Sequence, residues 1–244
     1  MNTARLRILA ALLMVVALGV VAGGRGPHTA PFPDHMVLSY QVYYGPIPVG
    51  ISTRTLDRRP DGTYRYTLHS YPTGALRLFT HLQWFEQGLF RVVDDQVRPL
   101  EYLKYRTGSR DKRRKDATFD WQHARIIYAD HSSEPLPPGT QDENTVIFQL
   151  MLHPPTSTAF QVLHITTGSQ IIVYKYRYVR EEMLDSVLGR LRTTVVYWAE
   201  QTRHGHGKRF TAWLARDRHN IPVRIVATDD GQSASMVIRY VSGV

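Results

Sequence analysis

Apolar and polar positions alternate along most of this chain. In Met36 to Tyr44, the residues Leu38, Tyr40, Val42 and Tyr44 fall on one face, and in Thr63 to Tyr71, Tyr64, Tyr66 and Leu68 do the same. A period of two is the pattern of a strand with one buried and one exposed face. Turn-forming residues interrupt these runs at Gly45-Pro46, Arg59-Pro60-Asp61-Gly62, Thr107-Gly108-Ser109, Asp185 to Gly189 and Asp229-Asp230-Gly231. Their spacing of roughly ten residues predicts antiparallel hairpins in one meandering sheet.

One segment has a different period. Thr140-Gln141-Asp142-Glu143 has capping-box spacing, in which a Thr hydroxyl and a Glu carboxylate satisfy the first helical amides. Beyond it Val146, Ile147, Leu150 and Met151 share a side, and Pro154-Pro155 cannot continue a helix. An amphipathic helix over Gln141 to Leu152, laid on the sheet, is therefore predicted, with a shorter helix over Gly74 to Phe79.

The first residues add an address. Arg5 and Arg7 precede the unbroken apolar run Ile8 to Ala22, which ends in Ala22-Gly23-Gly24. That run falls short of the roughly 20 residues a membrane-spanning helix needs and ends in small residues suited to signal peptidase. The expected organisation is a signal peptide over 1–24, a linker over 25–34 and a single β-rich domain over 35–244, in an exported, periplasmic protein. Cysteine is absent, so no lipobox follows the leader and the fold must be held by packing rather than disulfides. The formal net charge is +9. For an exported protein such a balance points to acidic headgroups, lipopolysaccharide phosphates or acidic glycans as partners, rather than nucleic acid.

Three further segments occur in a characteristic order: Thr118-Phe119-Asp120-Trp121, Leu136-Pro137-Pro138-Gly139-Thr140-Gln141-Asp142 and Ile221-Pro222-Val223-Arg224-Ile225. With Tyr43-Tyr44-Gly45, Gly50 and Trp213-Leu214-Ala215 they span nearly the whole chain beyond the leader. In these features the chain resembles the bacterial domain-of-unknown-function 3108 family. The resemblance implies an exported β-rich protein of a Gram-negative envelope and no established catalytic residues.

The chemistry-bearing residues are dispersed. His204-Gly205-His206, with His219 one turn later, has no Cys and no carboxylate locked to it by spacing, so a solvated turn accounts for it better than a metal site. No Gly-x-Ser-x-Gly elbow is present. Asp120 and Asp142 both have structural reasons for their positions, before a turn and at a helix start. No catalytic residue, metal site or cofactor is assigned.

Two features remain. From Lys104 to Asp116 the chain carries Lys104, Arg106, Arg110, Lys112, Arg113, Arg114 and Lys115 against Asp111 and Asp116, around Gly108-Ser109. This places a cationic tip on a hairpin, with Lys112, Arg113, Arg114 and Lys115 as the candidate contact to an anionic surface. Further on, Tyr174, Tyr176 and Tyr178 alternate with Lys175 and Arg177, so one face is aromatic and is either core or the lining of a trough for an acyl chain. The expected fold is mainly β: one large curved antiparallel sheet or half-open barrel with a helix in or across its mouth, comparable in outline to lipoprotein carriers of the LolA and LolB type. The expected function is non-enzymatic binding of an amphipathic or anionic envelope component, a lipid or glycolipid, in the concave face, with peripheral membrane contact. A scaffold contacting another envelope protein is the alternative, and an enzyme acting on envelope glycan or lipid the third reading.

Overall fold

The structure, a computed structural model, describes residues 31–108, 114–202 and 207–244, and Pro31–Val244 form one compact unit. Its first half is built from β1 (His35–Tyr44), β2 (Ile47–Arg58), β3 (Tyr64–Pro72), β4 (Gln83–Val93), β5 (Gln96–Thr107), β6 (Arg114–Asp120), β7 (Arg125–Tyr128) and β8 (Ser133–Pro135). A short strand β9 (Gln141–Asp142) and helix α1 (Thr145–Leu152) follow. The second half is β10 (Gln161–Thr166), β11 (Ile171–Ser186), β12 (Gly189–Glu200), β13 (Arg209–Ala215), β14 (Ile221–Asp229) and β15 (Gln232–Ser242).

All of these strands belong to one sheet, in the order β8-β7-β6-β5-β4-β3-β2-β1-β15-β14-β13-β12-β11-β10-β9. The first and last strands pair at its centre, and each half of the chain meanders outward from there. Neighbours are antiparallel except β9 and β10, which run parallel. The predicted turns stand between β1 and β2, β2 and β3, β5 and β6, β11 and β12, and β14 and β15.

The two ends of the sheet do not join by a ladder, so the sheet is open. It nevertheless curls until side chains bridge the seam. Glu134 of β8 accepts the Ile171 amide at 2.8 Å, and Lys115 of β6 donates to Ser169 at 3.1 Å in the turn between β10 and β11. Gln141 of β9 donates to the Val97 carbonyl of β5 at 2.9 Å. The β9 edge is thereby tucked inside and removed from solvent, which is one way a sheet avoids presenting an unpaired edge.

Helix α1 lies within the curl. Phe148 packs against Phe90, Phe32 and Tyr66, with ring centroids 5.1, 5.8 and 5.8 Å away. Phe32, just ahead of β1, thus belongs to the core. At the other end of the helix Asn220 donates to the Met151 carbonyl at 2.9 Å. The helix differs from expectation in two respects. It begins at Thr145 rather than Gln141, because Gln141 and Asp142 pair with Ile165 and Thr166 and must be extended. It is also not amphipathic: Thr145, Val146, Ile147, Phe148, Leu150 and Met151 are all buried, as expected of a helix enclosed on every side.

The capping box fails for the same reason. The Thr140 hydroxyl donates to the Pro137 carbonyl at 2.7 Å, within the turn. Asp142 instead accepts the Asn144 and Thr145 amides, each at 2.8 Å, while the Thr145 hydroxyl accepts the Asp142 amide at 2.9 Å. The other predicted helix is a 3-10 turn over Gly74–Leu78 between β3 and β4.

Candidate functional site: a charged floor beneath an open cavity

The inward residues of β2 to β5 follow strand parity: Gly50, Ser52, Arg54 and Leu56 on β2, Glu86, Gly88 and Phe90 on β4, Tyr102 and Lys104 on β5. Among these apolar partners three charges point into the curl. In register, Arg54 and Glu86 both face Leu68, and Glu86 faces Lys104. The segment entering α1 completes the group with Asp142, Glu143 and Asn144.

Arg54 is only 3% exposed. Its Nη2 donates to Asn144 Oδ1 at 3.1 Å, and Asn144 Nδ2 donates to Glu86 Oε2 at 2.7 Å, so one amide joins a buried cation to a carboxylate two strands away. Lys104 Nζ lies 2.6 Å from Glu143 Oε2 and 3.4 Å from Glu86 Oε1. The Tyr102 hydroxyl sits 2.8 Å from both carboxylates and has one proton to donate between them. Such a network draws β2, β4, β5 and the helix entrance together, and its loss would strand buried charge.

Burial sets the proton affinities. Desolvation raises the Asp142 carboxyl to about 6, against the lowering effect of the two amides it accepts. Tyr66 and Tyr102 are pushed well above the ordinary phenol value, first by burial and then by the carboxylates beside them. For Lys104, burial acts downward, but Glu86 and Glu143 outweigh it and the ammonium is held above its usual value. Arg54 Nε and Nη1, Tyr66 Oη and Asp142 Oδ2 are buried without a protein hydrogen-bond partner.

One member of the network, Glu143, reaches a cavity of about 600 Å³ that opens at the end of the curl opposite the C-terminus of α1. Glu143 lies at its base, with Phe210, Ala227, Ala234 and Tyr44 as apolar wall and Lys208, Asp229 and Asp230 at the rim. Phe210 is stiffened from behind by Trp198, stacked at 5.1 Å, and by Tyr174 at 6.3 Å. A pocket of this kind, mixed in polarity and within the range of roughly 300–1,000 Å³ typical of small-ligand sites, suits a molecule with one apolar and one polar end.

The predicted site residues fall in different places. Tyr174 is buried in the core, Tyr176 packs partly against it and Tyr178 is half-buried. Tyr174 supports the wall through Phe210, and none of the three lines the cavity. Arg114 is exposed and paired with Asp116 at 3.1 Å, Lys115 reaches Ser169, and Lys112 and Arg113 lie outside the described residues. The basic run is not one patch, because Lys104 shares the parity of Tyr102, faces inward and is neutralised there. His204 and His206 also lie outside the described residues. Among the described residues no group of three or more His, Asp or Glu is arranged to hold a metal, and no helix is long and apolar enough to cross a membrane.

Arg54, Glu86 and Glu143 were missed from sequence because they come from separate segments. A signal was present: Arg54 and Glu86 share strand parity with core residues, Leu56 two positions on and Phe90 four positions on.

Architecture and site together define a class: a curled, open β-sheet protein whose interior is plugged by a helix at one end and left as a charged-floored cavity at the other. Within it, the chain belongs to the family described as protein of unknown function (DUF3108), whose profile matches residues 39–239. Among solved structures it is similar to a β-barrel-like protein of domain of unknown function DUF1849 from Brucella abortus, at 9% identity and TM-score 0.58, over 86% of this chain and 98% of that one. A protein with a YmcC-like fold from Bacteroides fragilis aligns at 9% identity and TM-score 0.37, over 86% and 98%. No protein of curated function matches the sequence.

Proposed function

We propose that this is a non-enzymatic binding protein of the cell envelope that holds an amphipathic molecule, a lipid or glycolipid, with its apolar part in the mouth cavity. The observation that carries this reading is the cavity itself. Around Phe148 the interior is filled by α1 and the aromatic core, whereas here an apolar wall and the Glu143 carboxylate meet within about 600 Å³. The site is thus moved from the tyrosine ladder to the wall that Tyr174 supports. The carboxylates of the floor are engaged by Lys104, Tyr102 and Asn144, which suits them to positioning rather than to acid and base chemistry.

The basic hairpin tip, Lys112, Arg113, Arg114 and Lys115, is proposed as the contact to anionic headgroups, each cation contributing about 1 kcal/mol near an acidic surface. Export rests on the leader pattern and is tested by N-terminal sequencing: a mature start near Arg25 is expected, and an intact Met1 in the membrane pellet refutes it.

The cavity is tested by native mass spectrometry of protein purified from its own envelope fraction. A co-purifying amphiphile is expected, and Ala227→Trp, which fills the cavity, should abolish it while leaving the urea midpoint unchanged. An empty parent, or equal loading of parent and variant, refutes the reading.

A further inference from the structure

The segment between β3 and β4 exposes apolar surface that the fold does not use. Leu78 and Phe79 are 82% and 83% exposed, and Leu76 in the same turn is 40% exposed. Single exposed apolar residues are ordinary, but adjacent Leu and Phe side chains projecting almost whole from a 3-10 turn form a wedge.

What lies around the wedge indicates its partner. On the outer face just behind it, Tyr71, His69, Phe85 and Tyr105 form an aromatic row, with successive centroids 5.0, 4.3 and 5.1 Å apart. Each ring is half-buried, so the row presents edges rather than a free face. Register carries this row on from Tyr105 to Arg114, and Arg77 stands within the 3-10 turn itself. The basic hairpin also begins here. A Cβ at Gly108 would collide with the His81 carbonyl, so this glycine, at φ +77°, lets the start of the β5–β6 connection lie directly against the wedge segment. The rim acids Asp229 and Asp230 belong to β14 and the β14–β15 turn, in the other half of the sheet.

An apolar tip, an aromatic band behind it and cations at the level of that band match the layers of a bilayer surface, where hydrocarbon, interface and anionic headgroups follow one another. We propose that Gly74–His81 is a membrane-insertion element, Leu78 and Phe79 entering the acyl region of an anionic bilayer while Arg77 and Arg114 contact its headgroups. This seats the β3–β6 half of the open end on the membrane and brings the mouth next to lipid. The proposal shares the anionic contact of the function argued above but does not depend on what the cavity holds.

The test uses the chain Pro31–Val244, which carries the whole core and lacks the apolar leader that would itself bind lipid. Sedimentation is measured with vesicles of equal parts phosphatidylglycerol and phosphatidylethanolamine, and with neutral phosphatidylcholine vesicles. Leu78→Ser with Phe79→Ser should lower partitioning to the anionic vesicles at least tenfold with the urea midpoint unchanged. Arg77→Ser with Arg114→Ser should weaken it mainly at low salt, where charge is least screened. Ala227→Trp should bind vesicles as the parent does, which separates failure of the wedge from failure of the cavity. Parent-like binding by the Leu78, Phe79 variant overturns the proposal. So does a parent that sediments as a dimer dissolved by those substitutions, since the wedge then belongs to a second copy.

Discussion

Lys104 Nζ and Glu143 Oε2 meet at 2.6 Å, tying the inner face of β5 to the turn that leads into α1. The bond does two things: it closes the floor of the mouth cavity and holds the helix entrance against the sheet. Because Glu86 and Tyr102 share the same charges, the pair is strongly coupled to its surroundings.

Lys104→Met should destabilise the protein by about 2 to 3 kcal/mol, since Glu86 and Glu143 are left without their cation. Glu143→Gln should cost less because Glu86 remains. Urea unfolding of both single variants and the double variant should give a coupling energy on the order of 1 kcal/mol or more. Additive losses would show that the pair is merely adjacent.

Asp142 makes a pH-dependent contribution of defined sign. Its carboxyl has an ordinary value of 3.8 and is raised to about 6 in the folded protein by burial. Between these values the folded state keeps a proton that the unfolded chain has released. The stability it contributes is therefore complete below about pH 4, falls as pH rises to about 6 and is level above that. The difference across the window is on the order of 3 kcal/mol. Asp142→Asn keeps an oxygen to accept the Asn144 and Thr145 amides and removes the titration. Relative to the parent, it should gain stability from pH 4 to pH 6 and be no less stable at pH 7.5, as read by urea midpoints.

Gly88 is required by close approach, not by its backbone angles. A Cβ there would meet the Glu101 carbonyl and lie 2.5 Å from the Tyr66 hydroxyl. Gly88→Ala should cost about 2 to 3 kcal/mol through forced separation of β4 and β5. Adding Tyr66→Phe should recover only part, because the Glu101 backbone stays in place.

Phe148 fastens α1 inside the curl by touching Phe32, Tyr66 and Phe90. Phe148→Ala should cost about 4 kcal/mol by opening a core cavity. Thr140→Ala, which removes only the hydrogen bond to Pro137, should cost about 1 kcal/mol. Thermal melts of both variants check the order, and a Phe148→Ala loss no larger than that of Thr140→Ala would show that the ring does not anchor α1.

Much of the architecture was legible because it depends on local periodicity. The alternation in β1 and β3 placed Leu38, Tyr40, Tyr64 and Tyr66 in the interior, and all four are buried. The turn residues located five hairpin connections that the sheet contains. Less legible was the helix entrance. Thr140 to Glu143 has capping spacing, but a parallel bridge to Ile165 and Thr166 holds Gln141 and Asp142 extended, and no local signal reports a partner more than twenty residues away. The buried charges were hidden for a related reason. Lys104 reads as one more member of a cationic hairpin until strand parity turns it inward onto Glu86 and Glu143.

By itself, then, the sequence determined a meandering β-sheet, its turns, a short helix before Pro154 and the family, since alternation, turn chemistry and motif order are properties of adjacent residues. Only the tertiary structure decided that the sheet curls around that helix, that Arg54, Glu86, Lys104 and Glu143 form one network, and that a cavity and an exposed apolar wedge share the open end. Those relationships join β2, β4, β5 and the entrance to α1 across dozens of residues of chain. They arise from which faces the curl brings together, a property of packing that no window of sequence contains.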